Sequence, residues 1–130
     1  MRAADTNVLV RLLARDDEAQ ARAASQFIAP GAWISHLVLA ETVCVLGSVY
    51  ELERDRLAAA VAMLLDHREL ILQEPEVVAA ALETFRSSIG SVGFTDCLVL
   101  ETARKAGHQP LGTFDRALSK LEGTERIFGA

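Results

Sequence analysis

Apolar and polar positions alternate along the chain at two spacings, which together predict short strands separated by helices. The opening stretch RAADTNVLV reads as a short strand with Asp5 at its end, turning through VLVRLLA into a first helix. Asp16 and Asp17 offer caps for a second helix, and Asp17 with Gln20 has capping-box spacing. That helix, EAQARAASQFI, is amphipathic and is closed by Pro30-Gly31. A strand is expected over 32–35, then a long apolar helix over 36–50 and another helix over 53–67. Residues 69–72 predict a further strand, and Pro75 fits the first turn of a helix reaching about Ser87. A glycine-broken loop follows over 88–93. A helix over 95–106 is stopped by Gly107, and strands are expected over 110–113 and 126–128.

Strands alternating with helices in this way imply βα crossovers. The fold class expected is α/β and helix-rich, with a short central parallel sheet of about four to five strands flanked by helices. No linker, repeat or biased segment interrupts the pattern, so residues 1–130 are read as a single domain. With 51% hydrophobic and 24% charged residues, a disordered chain is excluded. Aromatics make up 5%, so aliphatic side chains and alanines must build the core. The longest apolar run, over 57–65, is far short of the roughly 18 residues needed to span a bilayer. The start, with Asp5 and Arg11 inside its apolar stretch, lacks a signal peptide's layout, so a soluble, cytoplasmic protein without membrane contact is expected.

A formal net charge of −5 argues against general nucleic-acid binding, but it permits a nucleic-acid enzyme whose carboxylates are covered by metal. Cys44 and Cys97 both sit in aliphatic surroundings, at a spacing unlike any zinc motif, and are expected to be buried thiols.

Charge inside otherwise apolar sequence is more telling. Asp5 is the only charge from Ala3 to Val10, Glu41 the only one in LVLAETVCVLGSVY, and Asp96 the only one from Ser87 to Leu100. Asp115 follows an apolar strand and a glycine. An ionised carboxylate in such a setting is costly unless it is paired, hydrogen-bonded or bound to metal. Singly, Asp5, Asp96 (with Thr95) and Asp115 could each cap a helix, Asp115 that of DRALSKL. Glu41 lies too far inside its helix for capping, and its simplest alternative is a buried ion pair with a distant arginine. Three of the four lie where a strand or loop hands over to a helix, the edge where open parallel sheets bind ligands. Four acids gathered there would repel, and all-oxygen ligands without His or Cys select hard ions, Mg²⁺ or Mn²⁺.

At these positions the chain resembles the PIN-domain family, and within it the small bacterial toxins of VapC type. The pieces that carry the resemblance are DTNVLVRLL, SHLVLAETV, GFTDCLVLETA and LGTFDRAL, in order and across nearly the whole chain. Cys97 stands where a small residue is common. The resemblance implies a metal-dependent ribonuclease whose acidic cluster maps onto Asp5, Glu41, Asp96 and Asp115, with Thr113 as a polar helper. Thr6 and Asn7 match the opening motif and would orient Asp5. It also implies an RNA substrate, a small cognate antitoxin that occludes the acidic site, and a homodimer.

The reaction expected is hydrolysis of an RNA phosphodiester with one or two Mg²⁺ ions (or Mn²⁺), Asp5 and Asp96 serving as central ligands. Candidate phosphate contacts are Arg11, Arg15, Arg86, Arg104, Lys105, Arg116 and Lys120, of which Arg116 and Lys120 are preferred for following Asp115. His36 is read as a helix-start residue rather than a base. Two alternatives remain: a receiver-like Mg²⁺-binding signalling domain, and a catalytically silent binding module of the same fold.

Overall fold

Local capping chemistry fixes several helix starts in the computed structural model, which describes residues 1–88 and 90–129. Helix α1 (Thr6–Ala14) begins after Asp5, whose Oδ1 accepts a hydrogen bond from the Thr6 amide at 2.7 Å. Asp17 caps α2 (Glu18–Ile28) by accepting from Gln20 N at 3.0 Å, as the capping-box spacing predicts. Ser35 caps α3 (His36–Ser48), its Oγ accepting from Val38 N at 3.1 Å. Helix α4 spans Arg54–Asp66, and α5 (Pro75–Ser87) starts on a proline whose missing N–H costs nothing there. Helix α6 (Phe94–Ala106) ends at Gly107, which adopts the left-handed conformation (φ 84°) that a side chain would disfavour. Ser35→Ala is expected to cost about 1 kcal/mol by leaving a first-turn amide without its acceptor, read as a lowered urea midpoint.

The strands are short. β1 (Arg2–Ala3), β2 (Ala32–Ile34) and β3 (Leu70–Leu72) form one parallel ladder with β2 central, while β4 (Leu111–Thr113) and β5 (Thr124–Arg126) form another. The α/β, helix-rich class is therefore present, but among the described residues the strands fall into two ladders instead of one continuous sheet. Alanine-rich β1 is only two residues long and offers little backbone for further pairing. β5 begins at Thr124, earlier than the pattern suggests, and Leu111 N bonds to the carbonyl of Gly123 just before it. The expected last helix reduces to a 3₁₀ turn over Leu118–Lys120.

Burial alternates along the strands. Ala32, Ile34, Leu70 and Leu72 point into the core, whereas Trp33 and Ile71, paired in register, face out. Leu9, Ile34, Leu39, Val61, Leu64 and Val78 are fully enclosed and belong to one apolar interior. Cys97 is buried as expected, and burial pushes its thiol up to about 11. Cys44 is exposed instead. Helix α3 is apolar nearly all round, but only the face bearing Leu39, Thr42, Val43 and Leu46 packs inward; Leu37, Glu41, Cys44 and Ser48 lie on the open side. No helix of the described residues is long and apolar enough to cross a membrane.

Candidate active site

Parallel pairing puts the carboxyl ends of β1 and β2 on one edge, with Asp5 directly after β1 and α3 starting just beyond β2. Asp115 follows β4, at the matching end of the second ladder, and Asp96 lies in the first turn of α6. Helix α3 packs against both α1 and α6, so the helices carrying Glu41, Asp5 and Asp96 adjoin.

Asp115 acts on Asp96. Asp96 is half-buried, and its carboxyl is pushed above the usual range, first by burial and then by the negative charge of Asp115. Asp115 is locally braced. Its Oδ1 accepts from Ala117 N at 2.8 Å and Leu118 N at 3.3 Å, while its own amide donates to Thr113 Oγ1 at 3.0 Å. Thr113 therefore shapes the turn that aims Asp115. The capping role and a ligand role are compatible, because these bonds engage one carboxylate oxygen and leave the other outside them.

Asp5, Glu41 and Asp115 are solvent-exposed, so the expected burial of isolated charge holds only for Asp96, and only partly. Glu41 has no ion pair with an arginine among the described residues, because α3 turns it outward. One turn beyond it, Cys44 Sγ lies 3.7 Å from Thr95 Oγ1, linking α3 to the start of α6 beside Asp96. There an open groove of about 480 Å³ runs between the helices, with Cys44, Gly47 and Ser48 on one wall and Gly93, Thr95 and Asp96 on the other. Thr6 is buried and Asn7 exposed.

Among the described residues no three His, Cys, Asp or Glu side chains are grouped so as to hold a metal ion. Of the other three acids, Asp115 is the one whose charge bears on Asp96, while Asp5 and Glu41 lie on adjoining elements. Asp96 and Asp115 suit a hard divalent cation: their donors are all oxygen, and a positive charge would counter the burial and the like charge that together raise Asp96.

The basic residues divide into engaged and free. Arg11 Nη1 donates to Asp16 Oδ1 at 3.1 Å and to the Tyr50 hydroxyl at 3.3 Å, and Tyr50 donates to Asp16 Oδ2 at 2.8 Å. The Tyr50 hydroxyl, more than any other contact, holds Asp16 below the usual carboxylate range. The charge of Arg11 is thus already met within the fold. Arg104 bonds Glu101 and the Glu122 carbonyl, Lys105 pairs with Glu76, and Arg15 reaches Ser25. Arg86, Arg116 and Lys120 are exposed and form no ion pair among the described residues; the last two follow Asp115 in the chain.

His36 opens α3, and its ring Nε2 donates to the Gln73 carbonyl at 2.7 Å while Gln73 Oε1 accepts from its backbone amide. This anchors α3 to the end of β3 and fits a helix-start role. Sequence reasoning missed Gln73, as it missed Arg54, because both act across tens of residues without a local pattern.

A family model described as the PIN domain matches residues 3–123. Neither a curated protein nor a solved structure gives a significant match to the chain.

Proposed function

The chain belongs to the PIN domain family, and on that premise we propose that it is a Mg²⁺- or Mn²⁺-dependent endoribonuclease, the toxin of a toxin–antitoxin pair. PIN domains are in general metal-dependent nucleases that use divalent ions. The receiver-like alternative loses its footing with that membership. The observation that carries the proposal is the half-buried Asp96 in the first turn of α6, its carboxyl raised first by burial and then by the negative charge of Asp115, which follows β4.

In this reading Asp5 and Asp96 are the central holders of the ion, with Glu41 and Asp115 beside them as ligands or supports. A divalent ion bound there offsets negative charge building on the phosphodiester and makes water more acidic. The chain supplies the rest. Thr113 sets the turn that aims Asp115, and Thr6 with Asn7 starts the helix that Asp5 caps. Arg116 and Lys120 offer cations to the RNA backbone next to the acids, where local attraction must overcome the acidic balance of the whole chain. A basic side chain of a small antitoxin entering the same acidic site would compete with the ion. Homodimerisation belongs to the same proposal.

The test is incubation with RNA in Mg²⁺ or Mn²⁺, with and without EDTA. Internal fragments that vanish on chelation and return with either ion support it. RNA left intact in both Mg²⁺ and Mn²⁺ sinks it and leaves the silent binding module. Arg116→Ala with Lys120→Ala is expected to weaken RNA binding several-fold. It should also flatten the salt dependence, by roughly 0.7 per lost contact to a single strand, in affinity measurements across NaCl concentrations.

A further inference from the structure

We infer that Arg54 is a positioning residue for the acidic pair, its guanidinium fixing the turn from which α6 presents Asp96. This rests on Asp96 holding the ion, as proposed above.

Arg54 opens α4, far in sequence from the acids, yet it binds both sides of the connection between α5 and α6. Its Nη2 donates to the Phe85 carbonyl and to Ser88 Oγ, each at 3.0 Å, and its Nη1 donates to the Val92 carbonyl. The same guanidinium lies over the Phe85 ring, 4.1 Å from its centre. Phe85 belongs to the last turn of α5, Ser88 is that helix's C-cap, and Val92 immediately precedes Gly93, the N-cap of α6. One planar fork therefore holds the end of one helix and the start of the next.

The start of α6 needs such a hold. Gly93 has no side chain with which to cap it, so nothing local fixes where the helix begins. Val92 and Phe94, on either side of Gly93, are buried, which seats the turn but does not set its direction. The bond to the Val92 carbonyl does. Asp96 follows within the first turn, so a shift at Val92 carries directly into the placement of its carboxylate against Asp115. Metal-holding carboxylates tolerate little such displacement.

The test compares the wild type with Arg54→Met and Arg54→Lys. The lysine variant keeps the charge but cannot span three acceptors with a rigid fork. Three readouts apply: hydrogen exchange of amides 93–97 in metal-free protein, Mn²⁺ affinity without RNA, and kcat and KM for RNA cleavage. Both variants should exchange faster at 93–97 than wild type, while amides of α1 and α2 are unchanged. Mn²⁺ affinity and kcat should fall by about 10–100-fold with KM for RNA nearly constant. Wild-type Mn²⁺ affinity in folded Arg54→Met overturns the inference, and so does full rescue by Arg54→Lys, which would make the effect one of charge. If Arg54→Met fails to fold, Ser88→Ala removes one acceptor of the fork, and smaller changes in the same direction are expected; none overturns the inference. A wild type that binds Mn²⁺ without cleaving RNA removes the proposed activity and leaves the Arg54 measurements decisive. A wild type that binds no Mn²⁺ removes the role of Asp96 and the inference with it.

Discussion

Asp96→Asn is expected to lower RNA cleavage by about 10²–10³-fold while leaving the protein folded. Asparagine keeps the shape of the side chain but cannot carry the charge that holds a cation. In the metal-free protein the substitution removes a cost, because burial and the charge of Asp115 both disfavour the ionised form. The sign with pH follows. An acid whose folded pKa lies above its ordinary 3.8 contributes stability fully present below that value and lost as pH rises through the folded one. Thermal melts in EDTA between acid and neutral pH should show wild type losing this contribution, whereas the variant lacks that slope and is at least as stable near neutrality. Asp5→Ala should lose activity likewise. Wild-type cleavage by either variant would place the chemistry elsewhere.

Phe85→Ala is expected to cost about 3–5 kcal/mol, the largest loss of stability from a single truncation considered. Phe85 is 3% exposed and packs edge-on against Phe94, with ring centres 5.9 Å apart. Arg54 covers one of its faces. Truncation opens a cavity among α4, α5 and α6, ends the aromatic pair and takes away the apolar surface on which the guanidinium rests. Domains of this kind are stable by only about 5–15 kcal/mol, so the urea midpoint should drop sharply and part of the population should unfold at 37 °C. A loss below about 1 kcal/mol would show that these helices repack around the gap.

Sequence and structure agree where the physics is local. Asp17, Pro75 and Gly107 mark helix ends through side chains or backbone constraints that act within one turn, and each is found where the pattern predicts, whereas Ser35, expected to end a strand, caps α3 instead. The positions of Asp5 and Asp115 after strands are equally legible, since strand ends and caps are short-range features. Disagreement begins where the outcome depends on what packs against what. Glu41 and Cys44 lie in an apolar run that suggests enclosure, but burial of α3 is decided by the placement of α1, α4 and α6, which leaves one face open. Arg11 looks free in the sequence, yet Tyr50 arrives from α3's far end to complete its pair with Asp16. Division of the strands into two ladders is a matter of pairing between distant segments, to which hydrophobic spacing is blind.

The contrast between the two sulfhydryls has a practical use. Cys97 is sealed in the interior, whereas Cys44 opens to solvent on the groove wall opposite Asp96. A maleimide or methanethiosulfonate reagent at neutral pH will therefore modify one position of the native chain, with no engineered cysteine. A nitroxide attached there would report, through paramagnetic broadening by Mn²⁺, how far the ion settles from the groove wall.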